Sequence, residues 1–344
     1  MAKATKLKSG NWRCKANYKD EKGNHVNKSF TAETKKEAEY MAAQFLVERK
    51  HKQKPINRTI GELTTEYLDS RSNLLSPSTL RSYRAYRRTA FPVLMATRAG
   101  MVDKKTYQAH INEYAEGRSP KTVMEAHRLM CRVFQENKID IDTKTIILPP
   151  KVKTDISIPT TDEVKQILEA SKVKGIYFPV LLAALLGLRR SEIFALTWED
   201  IDTENNRIRI NKAIVKNTDC RYVVKSTKTQ SSTRSLYMPP QIVEALPERK
   251  ADNERIFDVF PDAFSNRFRK MINALKLKHN YNFHALRHYC ASAMLKNNIP
   301  NKYAMERLGH STDNMLKQVY QHTFADTHRE FDKVMDDYFT NSGI

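Results

Sequence analysis

The segment Ile176 to Leu188 is the longest apolar stretch of this chain, and it constrains the fold more than any other feature. It is too short to cross a bilayer comfortably and carries Pro179 near its start, so it predicts a buried helix rather than a membrane span. A helix that is apolar all round has to be enclosed by other elements. With 40% hydrophobic residues, the chain can supply such a core. Beyond this stretch the chain carries an ordered polar set: Arg189 in GLRRSE, Lys228 in TKT, His284 and Arg287 in HALRH, His310 in LGH, and Tyr320 in YQH. Each residue type is common alone, but together they meet the needs of phosphodiester cleavage. Arginine forks hold non-bridging phosphate oxygens bidentately, lysine or histidine moves protons, and a tyrosine hydroxyl attacks phosphorus and stays attached. This is metal-free phosphoryl transfer, and no cofactor is expected.

At 344 residues the chain exceeds a usual single domain, and proline-bearing polar segments mark the seams between two or three units. In residues 1–55, Trp12, Cys14, Ala16 and Tyr18 alternate with Arg13, Lys15, Asn17 and Lys19, which predicts a strand with one apolar and one cationic face. A turn at Gly23, a second strand to Phe30, and a capping box Thr34-x-x-Glu37 come next; the box opens a helix with Ala38, Met41, Ala42 and Phe45 on one side. The unit is a small β-sheet plus helix. Its cationic face suits DNA, and a solvated hairpin is the plainer reading.

The polar run Arg49 to Arg58, with Pro55, reads as a linker, and residues 56–155 read as all-α. Ser119-Pro120 starts a helix with Val123, Ala126, Met130, Val133 and Phe134 on one face and Lys121, Arg128 and Arg132 on another. Ser78 begins a second, in which Arg81, Arg84 and Arg88 form a stripe joined by Arg87. Such stripes suit a grip on backbone phosphates, although solvated helix faces explain them almost as well. Pro149-Pro150 to Pro159 is the second seam, and residues 156–344 read as α+β. Thr160 opens a helix with Val164, Ile167 and Leu168 inward; the buried helix is next; then come strands around Ile208–Ile210, Tyr222–Val224 and Leu236–Met238, with Lys228 in a polar connection. The amphipathic tail from Phe324 to Phe339 carries Phe331, Val334, Met335 and Tyr338 and packs either in cis or on a neighbouring copy.

With 59 Lys+Arg against 39 Asp+Glu, the formal charge of +20 favours a polyanionic partner and salt-sensitive association. Charge is densest at the amino terminus, with 14 Lys/Arg against 6 Asp/Glu in residues 1–55. A ribosomal or membrane-surface protein would share that charge but has no use for the ordered polar set. Cys14, Cys131, Cys220 and Cys290 stand singly, and no secretory leader is evident, so a reduced cytoplasm is expected. His284 and His288 have the i,i+4 spacing of a zinc site, but Ala285 stands where a metalloprotease helix has glutamate, and Arg287 between them opposes a dication. No metal is expected.

Gly187, Arg189 and Glu192 match a G-x-R-x-x-E box, His284 and Arg287 an H-x-x-R box, Leu308-Gly309-His310 comes after them, and Tyr320 lies ten positions after His310. In this order the motifs resemble those of the tyrosine recombinases, and among them the integrases of phages and integrative elements. The resemblance implies an arm-type DNA-binding domain over 1–55, a core-binding domain over 56–155 and a catalytic domain over 156–344. It implies a site-specific recombinase that cleaves and rejoins DNA through a 3′-phosphotyrosine link. Tyr320 would attack, Arg189 and Arg287 brace the phosphorane-like transition state, Lys228 protonate the leaving 5′-oxygen, and His284 and His310 hydrogen-bond the phosphate. Glu192, Arg190 and His288 stay outside the catalytic set. The implied partners are double-stranded attachment sites, a homotetramer on DNA and an excisionase or DNA-bending accessory protein, at the nucleoid of a bacterial host and away from membranes. A type IB topoisomerase and an inactive DNA-binding regulator of the same fold are the competing readings; the amino-terminal basic module disfavours the first and the complete polar set the second.

Overall fold

The computed structural model describes residues 3–19, 25–51, 57–152, 156–226, 233–249, 251, 254–310 and 341. The chain forms two compact units, divided between Val152 and Lys153. The first unit holds two separate apolar clusters.

The smaller cluster belongs to an antiparallel sheet of β1 (Thr5–Lys6), β2 (Trp12–Lys19) and β3 (His25–Ala32), covered by helix α1 (Lys35–His51). The period of two along β2 sends Cys14 and Ala16 inward against Ala38 and Ala42. Phe45 closes this core against Tyr18 and Phe30, at ring distances of 5.3 and 5.2 Å. Met41, expected on the inner side of the helix, is exposed instead, because Ala38, Ala42 and Phe45 already complete the narrow buried stripe. On the outer face, Arg13, Lys15 and Asn17 stand opposite Thr31, Ser29 and Asn27, a cationic and amide-rich surface without a carboxylate among these six. Lys19 ends β2, and its side chain lies outside the described residues.

The larger cluster is all-helical: α2 (Ile60–Asp69), α3 (Pro77–Thr89), α4 (Pro92–Ala96), α5 (Lys104–Ala115) and α6 (Pro120–Glu136). Ser119 caps α6 as expected, accepting from the Thr122 N–H at 3.2 Å, and Val123, Ala126, Met130, Val133 and Phe134 are all buried. The cap of α3 is Ser76 rather than Ser78; its hydroxyl takes the Thr79 N–H, and Pro77 occupies the first turn where a missing N–H costs nothing. The arginines of α3 have different partners. Arg84 pairs with Asp69 at 3.4 Å, and Arg87 turns inward, donating to the Gly61 carbonyl at 2.7 Å and to Thr65 Oγ1 at 3.1 Å. Arg81 and Arg88 are exposed, as are Lys121 and Arg132, and exposed Arg128 pairs with Glu125 at 2.6 Å.

The second unit is α+β. Its elements are α7 (Thr161–Val173), α8 (Tyr177–Leu186), α9 (Arg190–Ile193), β4 (Ile201–Asp202), β5 (Arg207–Ile210), β6 (Lys212–Lys216), β7 (Tyr222–Ser226), β8 (Arg234–Tyr237), α10 (Pro240–Glu244), α11 (Pro261–Leu275), α12 (Ala285–Lys296) and α13 (Asn301–Leu308). Helix α8 is the apolar stretch of the sequence, buried among α7, α10 and α12 and ended by Gly187 in the left-handed conformation, φ +66°. Strands β4, β5 and β8 form one antiparallel sheet and β6 and β7 a second. Strands β4 and β6 add to the three expected from the pattern; the short Ala213-Ile214-Val215 run has no alternation to betray it. Among the described residues no helix is long and apolar enough to cross a membrane. Lys228, Tyr320 and the tail 324–339 lie outside the described residues.

Gly61 gives a test of the packing of α2 against α3 and α4. A Cβ there would lie 2.7 Å from the Met95 carbonyl oxygen and 2.7 Å from Arg87 Nη2. Alanine would gain about 0.5–1 kcal/mol of helix propensity, but overpacking against backbone costs about 1–3 kcal/mol. The clash wins because Met95 O cannot rotate away. Gly61→Ala is expected to lower the denaturation midpoint of the helical region with little change in m-value; a raised midpoint would show that α2 and α4 do not pack this closely.

Candidate active site

The carboxyl end of one helix organises the site. Helix α13 ends in Gly309, φ +62°, with the Gly309 N–H on the Glu306 carbonyl and the His310 N–H on the Met305 carbonyl at 2.9 Å. This pair of bonds is a Schellman turn and satisfies the carbonyls of residues 305 and 306. Among the described residues the next three carbonyls have no backbone donor to take them. Each accepts from a different arginine: Arg307 O from Arg234 Nε at 2.8 Å, Leu308 O from Arg287 Nη2 at 2.5 Å, and Gly309 O from Arg189 Nη2 at 2.9 Å.

Arg287, on α12, is 2% exposed. Besides Leu308 O it donates through Nη1 to the Gly187 carbonyl and through Nη2 to His310 Nε2 at 2.6 Å. Thus one guanidinium bridges the carboxyl ends of α8 and α13. Gly187 has to be glycine for two reasons: its positive φ, and the Leu308 side chain and Cys290 Sγ, which occupy the space a Cβ would need. Burial first, and then the like charge of Arg189, pull Arg287 down to about 9, so it stays protonated at neutral pH.

Arg189 precedes α9 and is more open, with 34% of its side chain exposed. Its Nη1 donates to Glu192 Oε1 at 2.7 Å and its backbone N–H to Glu192 Oε2 at 2.9 Å. Arg234, opening β8, places Nη2 at 2.9 Å from Glu192 Oε2 and Nη1 at 3.3 Å from Oε1. Glu192 is 2% exposed, and burial alone pushes its pKa up; the hydrogen bond and charge of Arg234, with the charge of Arg189, outweigh this and hold it at about 2. Glu192, set apart from the catalytic set on sequence grounds, therefore anchors two arginines. Arg190 points elsewhere, to Ser265 Oγ at 2.5 Å.

His284 caps the start of α12, and its ring meets His288 in a T-shaped contact at 4.8 Å. The residue is exposed, yet crowding of the ring, then the neighbouring His288 and positive Arg287 and Arg189, keep its pKa below the ordinary value. His310 is pulled to about 3, by burial first and then by Arg287, Arg189 and Arg234. A guanidinium has only donors, so His310 Nε2 accepts from Arg287 and the ring proton sits on Nδ1. That Nδ1 is buried and has no hydrogen-bond partner among the described residues.

Arg189, His284, Arg287 and His310 are thus brought together, and Arg234 and Glu192 join them. Among the described residues the group carries three guanidinium charges against one carboxylate. A fully buried arginine is normally matched by an acid; Arg287 has carbonyls and a neutral imidazole instead, which leaves cationic charge to meet an anion. Arg13 and Lys15 stand on the outer face of the sheet unit, and Arg81, Arg84, Arg88, Lys121, Arg128 and Arg132 on the helical one.

Residues 157–326 match the model of the phage integrase family. Over 93% of its length the chain is 25% identical to a tyrosine recombinase XerC-like protein of Caldanaerobacter subterraneus subsp. tengcongensis, spanning 94% of that relative. The integrase of transposon Tn1549, solved in complex with transposon right end DNA, superposes with a TM-score of 0.65 at 17% identity, covering 79% of this chain and 99% of that one. A lambda integrase tetramer bound to a Holliday junction gives a TM-score of 0.54 at 17% identity, covering 92% and 94%. At these identities the two structures establish a shared multidomain fold.

The lowered histidine pKa values set a pH test. For His310, folded near 3 against about 6.5 unfolded, the stability tied to the neutral ring is complete above pH 6.5 and is lost as pH falls toward 3. Thermal unfolding is expected to move to lower temperature from pH 6.5 to 4, less steeply in His310→Asn, and millimolar sulfate should reduce the wild-type slope. Equal slopes for the two proteins would remove His310 from the buried cationic group.

Proposed function

We infer, from a chain that belongs to the phage integrase family through residues 157–326, that it is a site-specific DNA recombinase integrating or excising a mobile element. The observation that carries the reading is the guanidinium surplus of Arg189, Arg234 and Arg287 over Glu192 among the described residues, beside His310 Nδ1, which has no partner among them. A phosphodiester supplies what that group lacks: charged non-bridging oxygens for Arg189 and Arg287 and an acceptor for the Nδ1 proton.

The bond changes are set by the residue types. The Tyr320 oxygen attacks phosphorus in line, the bond to the 5′-oxygen breaks, and Lys228 delivers a proton to that oxygen, giving a 3′-phosphotyrosine and a free 5′-hydroxyl. Charge building on the equatorial oxygens is met by donors already in place, so little reorganisation accompanies the step. Because the bond energy stays in the protein link, a 5′-hydroxyl from a second duplex reverses the reaction and completes strand exchange. Exchange between two duplexes calls for four such sites, so the working form is a homotetramer on paired attachment DNA, with an accessory bending protein setting direction. Arg81, Arg88, Lys121 and Arg132 grip backbone around the crossover, and the sheet face of Arg13 and Lys15 holds a separate DNA arm.

Two experiments test this reading, using duplexes taken from the short direct repeats flanking the gene. On a nicked suicide substrate, wild-type protein should give a covalent adduct on a denaturing gel and Tyr320→Phe none, with binding retained. Lys228→Ala should fail on ordinary DNA but recover when the 5′-bridging oxygen is sulfur, which leaves without an acid, whereas Arg189→Ala, losing about 3 kcal/mol of charge stabilisation, should not recover. An adduct in Tyr320→Phe, or equal sulfur rescue of both other variants, overturns the roles. In the second, replacing Arg13, Lys15 and Lys19 by alanine should flatten the plot of log affinity against log salt on a full-length site by about 2.7. An unchanged slope and distal footprint would make the amino-terminal charge a solubility feature.

A further inference from the structure

Arg234 is not part of the phosphate-binding set drawn from the sequence, and its geometry differs from that of Arg189 and Arg287. Its side chain is 7% exposed against 34% for Arg189, and both of its Nη groups and its Nε are committed to Glu192 and to the Arg307 carbonyl. The register of the sheet explains the inward direction. Arg234 pairs with buried Ile210 and lies two residues from buried Leu236, so the alternation of β8 points it at the core.

On Glu192 the bonding is complete. Oε1 accepts from Arg189 Nη1 and Arg234 Nη1, and Oε2 accepts from the Arg189 backbone N–H and Arg234 Nη2. Those are two donors for each carboxylate oxygen, the full capacity of the group. Arg234 therefore fixes the plane of the carboxylate, and the plane of the carboxylate fixes where Arg189 aims. The third bond of Arg234, to Arg307 O, ties the same guanidinium to the turn that presents His310.

We propose that Arg234 is a positioning residue for DNA strand cleavage: it locks Glu192 and the 307–310 turn so that Arg189 and His310 meet the scissile phosphate together, without touching that phosphate itself. This rests on the recombinase reading of the site. A lysine in its place would bring charge but not the fork, since a bidentate match to a carboxylate needs the planar guanidinium. Arg189 has five N–H donors on its side chain and directs two of them to Glu192 and Gly309; with the carboxylate free to rotate, those two bonds no longer define its direction.

The test compares wild type, Arg234→Lys, Arg234→Met, Glu192→Gln and the Arg234→Met/Glu192→Gln double variant, on the same suicide duplex from the flanking direct repeats. Thermal unfolding, duplex affinity and the single-turnover adduct rate at saturating DNA are measured for each. Arg234→Met should cut the adduct rate about 100-fold, the scale of an ångström-level misplacement, with affinity within about threefold of wild type. Arg234→Lys should unfold near wild type yet stay about tenfold slow. The double variant removes both members of the Arg234–Glu192 pair, and its rate should match Glu192→Gln alone, since both changes break one linkage. The ratio of the Arg234→Met rate to wild type should also rise from pH 5 to 8, because a Glu192 that has lost its fork ionises only at higher pH, while Arg189, Arg287 and His284 stay around it in every variant. Wild-type cleavage with an unslowed, folded Arg234→Met or Arg234→Lys overturns the proposal alone, as do multiplicative losses in the double variant. If Arg234→Met does not fold, the lysine and double variants decide. Absence of any wild-type adduct overturns the recombinase reading and this proposal with it.

Discussion

Three arginines from three elements converge on the last carbonyls of one helix. A Schellman turn at Gly309 satisfies the carbonyls of residues 305 and 306, and Arg234, Arg287 and Arg189 take those of 307, 308 and 309 in succession. Like charges gathered this closely repel, so something has to hold them. The carboxyl end of a helix supplies about half a negative charge, and Glu192 supplies one more. Against three guanidinium charges, about one and a half positive charges remain among the described residues. On the proposed reading the ligand is a phosphodiester, which carries one negative charge while its five-coordinate transition state carries about two, so the surplus would favour the transition state over the bound substrate, which is the condition for acceleration rather than mere binding.

The same convergence explains why the motifs are spaced through the chain as they are. Gly187 ends α8 and offers its carbonyl to Arg287; Gly309 ends α13 and offers its own to Arg189. Each glycine allows a left-handed turn, and each turn exposes a carbonyl that a different motif's arginine caps. The three motifs are therefore one hydrogen-bonded object, and a change in any of them leaves a buried polar group of another unsatisfied.

Much of this architecture was legible in the sequence. The apolar run from 176 to 188, the caps at Ser119 and Thr160, and the alternation of Trp12 to Tyr18 are local signals, and each produced the element expected of it. Arg189, His284, Arg287 and His310 stood in recognisable motifs and lie together. What stayed hidden depends on distant partners. Arg234 and Glu192 are 42 positions apart, and nothing near either residue names the other. A signal did exist: in Arg234-Ser235-Leu236-Tyr237 the alternation that sends Leu236 inward sends Arg234 inward too, and an inward arginine demands an acid. The Arg87 bond to Gly61 is hidden in the same way, since only the close α2–α3 approach creates it.

The two kinds of cation in this chain differ in how firmly they are held, and that difference sorts their work. Arg84 with Asp69 and Arg128 with Glu125 are exposed pairs, of a kind worth about 0–1 kcal/mol each. Such pairs open readily, and an arginine released from one is as available to a DNA phosphate as an unpaired one, with counterion release favouring the exchange. Surface ion pairing therefore does not remove these residues from a DNA-binding face; it keeps them ordered until a polyanion arrives. Arg287 and Arg234 are the opposite case. Buried, and tied to main-chain carbonyls and to Glu192, they are held in one direction without any DNA. Breaking such a buried arrangement costs several kilocalories, about 3–5 kcal/mol where a charge is left uncompensated. On the proposed reading, exchangeable charge on the outside would serve association with many DNA sequences, and fixed charge inside would serve one phosphate in one geometry.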